Sequence, residues 1–437
     1  MPRVLPFRGL RYAAPADELD VLVSPPYDVI GPEEHAVLRG LSAHNASYVE
    51  LPTDAPGRPG SRYAEAAERL AHWRRNGVLR PDPGPAYYLA ETRFCHAGQT
   101  LQRRDLLAAL GVEPWSTGAV LPHEHTLQAP KVDRLELLRA THLNASPIWV
   151  LHRQRLSTLD RAWSLAESTP PSVEFTWRAE RHRLWVVDDA STVDAIRTEF
   201  ERGGPLYIAD GHHRYETSLA FRSEAEASVP GAAATLAAVT WAEDPGLLAL
   251  PTHRLLHDLD PALTIEEAES HWARLFDTQF DPVRADGLAE QVDALEQRLA
   301  SSGRVAPSFG LYELGHLDRF GILELRDRKV ADGGLPAERS DAWKSLDVSL
   351  LHALLVDPLV EQTGRPRTEV LSYTRDPHAA VAAVRAGHAS AAFFLNPTPV
   401  SGVLGVADTH DRMPEKSTYF HPKPPAGLVM RDLDVPR

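Results

Sequence analysis

Short apolar segments alternate with longer segments of helical periodicity along this whole chain, and this alternation most constrains its fold. Residues 61–78 carry apolar side chains at the spacing of a helix. Residues 87–94 and 101–110 predict a hairpin around the turn at 96–99, and 206–209 predicts a buried strand. Interleaved strands and helices pack as mixed layers. The predicted fold class is therefore mixed α/β (α+β).

The other periodic segments are less regular. They predict strands at 21–23 and 368–373, helices at 132–143, 264–275 and 287–301, and a charged, glycine-rich loop at 327–342. The last stretch, 398–437, contains a proline-rich run and is expected to consist mostly of loops.

Composition excludes several classes of protein. The single cysteine, Cys95, rules out an internal disulfide and a multi-cysteine zinc cage, and suits a reducing cytoplasm. The net charge of −14 argues against non-specific binding to nucleic acid. No apolar run is long enough for a signal-peptide core or a membrane span, so a cytoplasmic protein without membrane contact is expected. The oligomeric state stays open.

The familiar nucleotide and hydrolase motifs are missing from the sequence. It contains no G-x-x-x-x-G-K-[ST], no G-x-G-x-x-G and no G-x-S-x-G. A Walker-type ATPase, a Rossmann dehydrogenase and an α/β-hydrolase are thereby disfavoured, and any nucleotide must be bound in another way.

The strongest polar signal lies where a predicted strand ends and a helix begins: Asp210, Gly211, His212, His213 and Arg214. Glycine allows close approach of a ligand to the backbone, and a helix start beside His and Arg side chains favours an anion such as phosphate. Asp210 is a candidate to bind Mg²⁺ or to orient a hydroxyl. The alternative is a helix cap surrounded by surface hydrogen bonds.

A second cluster is His123-Glu124-His125, followed by Lys131 and Arg134. A carboxylate between histidines suits a general base, and the two cations near a helix start suit a phosphate. The alternative is a solvated loop with ordinary surface charges. A zinc site built from the histidines of both clusters is disfavoured, because their spacing does not match H-E-x-x-H.

Three weaker clusters complete the candidates. Residues 24–28 form a proline-stiffened turn that presents Asp28 to a ligand or serves only as a turn. Two further runs are candidates for closing over a carboxylate or phosphate, or for ordinary surface structure: Thr252, His253 and Arg254, and Lys416, Ser417 and Thr418.

These motifs resemble a known family. The stretch 207–214 resembles the D-G-H-H-R signature of the ParB-like free serine kinases, and Pro122-His123-Glu124 resembles their P-H-E segment. The late segment 416–418 is similar to their K-[ST]-T segment. Nearly the whole chain also resembles a large bacterial and archaeal family long described as a domain of unknown function, whose members are regarded as ATP-dependent serine kinases.

The resemblance implies a ParB/sulfiredoxin-like nucleotide-binding core at 116–255, an α/β region at 1–115, and at 256–437 an α/β region with a substrate-closing loop. It implies ATP and Mg²⁺ as cofactors and free L-serine as substrate. Glu124 would be the general base, assisted by Asp210, His212 and His213, with Asp210 also holding the metal. Nucleotide binding would fall to Gly211, Arg214, His123, Lys131 and Arg134, and serine binding to Thr252, His253, Arg254, Lys416, Ser417 and Thr418.

Three alternatives stay open on sequence. One is a ParB-like nucleotide switch without kinase activity, which the acidic net charge disfavours as a DNA-binding device. Another is a kinase of a different small alcohol. The third is a zinc-dependent hydrolase.

Overall fold

The computed structural model describes residues 1–126, 128–259, 272–282, 287–312 and 319–435. The chain divides into two compact units, one formed by Met1–Leu248 with Pro422–Arg437 and the other by Ala249–His421. Both units combine sheets with helices, so the predicted mixed α/β class is confirmed. The predicted helix at 264–275 lies mainly outside the described residues. The predicted division into the three regions 1–115, 116–255 and 256–437 stays a prediction.

The described part of the first unit contains a nine-stranded sheet. In spatial order its strands are Val120–Leu121, Leu206–Asp210, Ile148–His152, Ala234–Trp241, Gln99–Gly111, Tyr87–His96, Glu180–Val187 and Val173–Trp177, and Val4–Leu5 pairs beside Gln99–Gly111. The first two strands pair in parallel, as do the third and fourth, and the other pairs are antiparallel. The predicted hairpin is confirmed, since Tyr87–His96 and Gln99–Gly111 pair down to the turn.

Helices cover this sheet because their apolar stripes match its apolar strands. Ser157–Glu167 and Ala190–Arg202 bury Trp163 and Phe200 in the same core as the strand residue Val150. Elsewhere in the unit, a smaller cluster is formed by Leu138, Phe221 and Leu433, which come from the helices Gln128–Thr141 and His212–Ala225 and from the C-terminal segment. The remaining helical segments are Ala16–Val21, Tyr27–Val29, Pro32–Leu41, Ser47–Glu50, Arg62–Arg75 and Trp115–Thr117.

The C-terminal segment is more ordered than predicted. Met430–Asp432 is an inner strand of a four-stranded sheet whose order is Leu79–Pro81, Gly9–Tyr12, Met430–Asp432 and Leu143–Asn144. The stretch 398–437 is loop-rich, as expected, but it also contains the helix Val400–Asp408 and the strands Tyr419–His421 and Met430–Asp432, which its own periodicity did not predict. The predicted strand at 21–23 was wrong, since the 3₁₀ helix Ala16–Val21 reaches into it.

The second unit is built on an antiparallel sheet ordered Phe276–Pro282, Arg319–Leu325, Ser308–Tyr312, Ala391–Leu395, His253–Leu256 and Leu371–Thr374. The helices Leu288–Ser302 and Pro377–Arg385 bury Leu295 and Val381 against it. The other helical segments are Arg328–Asp332, Asp341–Lys344, Asp347–Leu351, His352–Val356, Asp357–Gln362, Arg367–Val370 and Val400–Asp408. A separate strand pair joins Leu248–Leu250 to Tyr419–His421.

Two local predictions in this unit need correction. The loop predicted at 327–342 contains the helix Arg328–Asp332, which begins because the Asp327 carboxylate accepts a hydrogen bond from the Lys329 amide at 2.8 Å. The strand predicted at 368–373 begins only at Leu371, after a helical turn. Across the described residues, no helix is both long enough and apolar enough to cross a bilayer.

Candidate functional site

The candidate site begins where the strand Leu206–Asp210 passes into the helix His212–Ala225. Gly211 makes the sharp turn with φ at 90°, and the Tyr215 amide donates the first helical hydrogen bond to the Gly211 carbonyl at 2.9 Å. The amides of residues 212–214 therefore precede the first intrahelical bond. The positive end of the helix dipole consequently lies directly beyond Asp210, which is the geometry that favours an anion.

Glycine is required at position 211 by both conformation and space. A β-carbon there would lie 3.1 Å from Arg214 Nε and 3.1 Å from Ile148 Cγ2, in a left-handed conformation. We expect Gly211→Ala to lower the free energy of unfolding by about 1–2 kcal/mol. Denaturant unfolding checks this against Gly204→Ala, because a β-carbon on Gly204 would meet no atom within 4 Å and its φ is not left-handed. Equal effects of the two substitutions would contradict the prediction.

The segment around Glu124 lies against this junction. His123 Nδ1 donates to the Ile208 carbonyl at 2.7 Å, across 85 residues of sequence. The His123 amide donates to His212 Nε2 at 3.3 Å, and the two rings meet edge to face at 4.7 Å. His123 Nε2 lies 3.9 Å from Glu124 Oε1. The two strongest sequence clusters thus meet in one place within the first unit.

These contacts determine which ring nitrogens carry protons. Because a carbonyl oxygen only accepts, His123 must be protonated on Nδ1, which leaves Nε2 as the atom that faces Glu124. Because His212 Nε2 accepts from an amide, a neutral His212 carries its proton on Nδ1. The Glu124 side chain is 22% exposed, so a hydroxyl from solvent is able to reach it.

Asp210 is held by two cationic side chains. Lys423 Nζ contacts Asp210 Oδ1 at 2.5 Å and also bonds Asp28, while Arg214 Nη2 contacts Asp210 Oδ2 at 2.5 Å. The Lys423 side chain is only 7% exposed. Burial alone would lower the pKa of Lys423, but the carboxylates of Asp210 and Asp28 outweigh it and raise the pKa well above its ordinary value. Lys423 is therefore charged and bridges two carboxylates.

This arrangement does not fit direct coordination of Mg²⁺ by Asp210. Each carboxylate oxygen already bonds a buried cation, and a divalent ion at either oxygen would be repelled by the ammonium or guanidinium group. Within the described residues, no group of three or more His, Cys, Asp or Glu side chains is placed to hold a metal. The helix start, in contrast, offers backbone amides to an anion.

Arg214 is anchored inside the protein. Its Nη1 donates to Ser146 Oγ at 3.0 Å and to the Pro147 carbonyl at 2.5 Å, and Ser146 Oγ donates to Glu50 Oε1 at 2.7 Å. Burial opposes its charge, but Asp210, Asp28 and Glu50 together raise the pKa of Arg214. Arg214 consequently links the junction to neighbouring loops, and its role in nucleotide binding stays a prediction.

The predicted phosphate ligands Lys131 and Arg134 are both engaged by carboxylates. Lys131 Nζ lies 3.0 Å from Glu216 Oε2, where burial would raise the pKa of Glu216 but hydrogen bonds from Thr126 and Lys131 lower it. Arg134 is buried, bonds Asp133 at 2.7 Å through Nε, and donates to the Glu50 carbonyl at 2.6 Å. Its guanidinium also lies 4.3 Å from the centre of the Tyr27 ring.

The candidates for serine binding all belong to the second unit. The Arg254 side chain is buried and donates from Nη2 to the Glu415 carbonyl at 3.3 Å, and Thr398 Oγ1 donates to the Ser417 carbonyl at 3.2 Å. Thr252 and His253 are buried as well. Burial, reinforced by Arg254, lowers the pKa of His253 to about 4. A substrate role for this segment stays a prediction.

Sequence reasoning missed Lys423 and the residues that hold it. Arg103 donates from Nη1 to the Pro422 carbonyl and pairs with Asp105 at 2.8 Å inside the sheet. It also missed His352, whose Nε2 lies 3.0 Å from Arg254 Nε at the start of a π-helical segment. The only sequence signal was a lysine set among the prolines of 422–425, and no spacing connects it to Asp28 or Asp210.

Comparison with known proteins gives a family. The family model described as "Protein of unknown function (DUF1015)" matches residues 4–349. This chain belongs to the DUF1015 family. No curated protein matches the DUF1015 chain.

Solved structures resemble the DUF1015 chain only remotely. A conserved hypothetical protein from Pyrococcus furiosus is 11% identical, with a TM-score of 0.34, over 74% of this chain and 93% of its own. A mutant free serine kinase in complex with ADP is 9% identical, with a TM-score of 0.35, over 72% and 87%. SbnI with a C-terminal truncation, from Staphylococcus aureus, is 10% identical, with a TM-score of 0.32, over 74% and 81%. At these values the likeness supports no functional conclusion.

Proposed function

We propose that this protein is a kinase that transfers the γ-phosphate of ATP to the hydroxyl of free L-serine. The observation that carries the proposal is the meeting of Glu124 and His123 with the helix start at Asp210–His212. Phosphoryl transfer needs a positioned nucleophile and neutralisation of phosphate charge; a carboxylate that orients and deprotonates the hydroxyl serves the first need, and a helix terminus contributes to the second. The identity of the acceptor comes from the motif resemblance.

In the proposed reaction the serine hydroxyl oxygen bonds to the γ-phosphorus while the bond from that phosphorus to the β,γ-bridging oxygen breaks. The hydroxyl proton passes to the Glu124 carboxylate, and ADP leaves. The start of the helix His212–Ala225 would bind phosphate oxygens, and His212 would keep His123 in place beside Glu124. Mg²⁺ is expected to arrive with the nucleotide, and no side chain of this chain is assigned to it.

The relation of Lys423 to this reaction follows from charge. Lys423 and Arg214 neutralise Asp210 and, with it, much of the negative charge next to the helix start. An unneutralised carboxylate at that point would repel phosphate. Asp210 therefore acts, in the proposal, as the anchor that fixes the junction and its cations, and the phosphate meets no bare negative charge at Asp210.

The test is an assay of the purified full chain with ATP, Mg²⁺ and L-serine, in which O-phosphoserine is measured directly by mass spectrometry. We expect phosphoserine to form with equimolar ADP. D-serine, L-homoserine and L-threonine serve as matched acceptors. If ATP binds and another alcohol is phosphorylated but serine is not, the protein is a kinase of that alcohol and not of serine. ATP binding without transfer to any of them would favour a nucleotide switch, and no ATP binding would overturn the proposal.

A further inference from the structure

A cavity of about 360 Å³ lies in the first unit, away from the strand–helix junction. Its lining includes His152, Leu156, Trp163, Trp241 and Asp244. In the sheet register His152 pairs with Leu206, whereas Trp149 pairs with Asp210. At about 3.3 Å per residue, the cavity therefore begins roughly 10 Å along the strand from the candidate catalytic site. Its volume is within the range of small-molecule sites.

His152 lines the cavity with a buried imidazole ring. The side chain is buried at 6% exposure, and its Nδ1 lies 2.6 Å from the Gln154 carbonyl, to which it must donate. Burial lowers the pKa of His152, which keeps the ring neutral and leaves a lone pair on Nε2. Among the described residues, that buried Nε2 has no hydrogen-bond partner. The His152 ring therefore adds no charge to the lining of the cavity.

Asp244 supplies a second acceptor in the same lining. Its carboxylate accepts from the Gly246 amide at 2.8 Å and from the Arg104 amide at 3.3 Å, and no cationic side chain forms an ion pair with it among the described residues. Burial raises the pKa of Asp244 to about 6. A ligand cation would offset the cost of keeping this carboxylate charged in the cavity.

The rest of the lining includes an apolar wall and two arginines, Arg104, which pairs with Glu167, and Arg155. Leu156, Leu159 and Trp163 are buried apolar side chains. Arg155 is exposed, with 67% of its side chain accessible; it pairs with Asp160 at 2.7 Å and lies 5.3 Å from the centre of the Trp241 ring. A ligand in this cavity would meet the Asp244 carboxylate, an apolar wall beside it and the exposed guanidinium of Arg155.

We propose that this cavity is a second small-molecule site and that it takes an α-amino acid with an apolar side chain. The ammonium group of the ligand binds the Asp244 carboxylate, the side chain packs on Leu156 and Trp163, and the carboxylate meets Arg155. A simple apolar molecule would leave the Asp244 carboxylate without a cation, and a simple anion would be repelled by it. The inference does not depend on the proposed kinase activity.

Calorimetric titration of the wild-type full chain with L-leucine and L-phenylalanine tests the proposal. We expect saturable binding of one ligand per chain. N-acetyl-L-leucine, which lacks the ammonium charge, and L-alanine, which lacks the apolar body, should each bind at least tenfold more weakly. Equal affinity for N-acetyl-L-leucine, or no binding of leucine and phenylalanine at millimolar concentration, would overturn the proposal. Because only the wild-type chain is used, misfolding of a variant cannot affect this comparison.

Two substitutions locate the ligand. Arg155→Gln changes an exposed side chain and should weaken leucine binding at least threefold, whereas Arg161→Gln, an exposed neighbour outside the lining, should not. Asp244→Asn should weaken it at least tenfold, with Asp194→Asn as the matched exposed control. Excess L-serine should not displace leucine; displacement would place leucine in a serine site and overturn the assignment to this cavity.

Discussion

Glu124→Gln is expected to lower the rate of phosphoryl transfer to serine by about 10²–10⁴-fold, which is the usual contribution of a general base. Glutamine keeps the shape of the side chain and its place beside His123 Nε2, but it cannot accept the hydroxyl proton. The fold and the affinity for ATP should stay within about twofold, because the helix start and its neighbours are unchanged. Single-turnover measurement of phosphoserine, with ATP affinity measured separately, checks both parts.

The matched control for this substitution is Glu174→Gln. Glu174 is an exposed strand residue that pairs with Arg181. Its substitution therefore removes the same charge without affecting the junction. Its turnover should equal that of the wild type. If Glu124→Gln keeps turnover within threefold, Glu124 is not the base. If it loses ATP binding together with turnover, Glu124 supports the nucleotide site and the base must be sought among the neighbouring histidines.

The sequence predicted those parts of the fold in which the pattern is local. The helix expected over 61–78 is Arg62–Arg75, and the hairpin over 87–110 forms with its turn as expected. In both cases one apolar face repeats with a clear period, so the residues themselves select the element. The strand end at Asp210 was predictable for the same reason, because an apolar run stops at an Asp-Gly pair.

Predictions failed for segments whose conformation is decided by distant partners. The apolar run at 21–23 suits a strand by composition, yet the Asn45 side chain donates to the carbonyls of Val21 at 2.8 Å and Val23 at 3.0 Å. These side-chain hydrogen bonds take the carbonyls that a strand neighbour would have used. The strand Met430–Asp432 is the opposite case, a strand that was not predicted. Its three residues have no periodicity of their own and form a strand because they pair with two distant segments.

The same distinction between local patterns and distant contacts holds for the candidate site. The motif resemblance implied that Glu124 and Asp210 serve one site, and the contacts of His123 bring their segments together. The neighbours of Asp210 were beyond prediction, because Lys423 is 213 residues away from it in sequence and 395 residues away from Asp28. Charge pairs of that separation leave no pattern in a single sequence, and only the packed C-terminal segment reveals them.

Lys423→Met is expected to lower the free energy of unfolding by about 3–5 kcal/mol at neutral pH, because it leaves two carboxylates, Asp28 and Asp210, without their shared buried cation. Because the folded-state pKa of Lys423 lies above the ordinary lysine value, its contribution is complete below that ordinary value. It is lost only when the pH rises through the raised folded-state pKa. Denaturant unfolding from pH 7 upward measures both effects, and the wild type and variant should converge only in strongly alkaline solution.

Two variants separate the loss of this bridge from the loss of a positive charge in general. Arg181→Met removes a cation from an exposed pair in the same unit and should cost at most about 1 kcal/mol. Adding Asp28→Asn to Lys423→Met removes one of the two stranded carboxylates and should recover at least about 1 kcal/mol, the size of coupling expected between contacting charges. If Lys423→Met costs no more than Arg181→Met, the bridge does not stabilise the fold. If the double variant recovers nothing, the cost comes from lost packing of the lysine stem, and the charge argument for Asp210 fails with it.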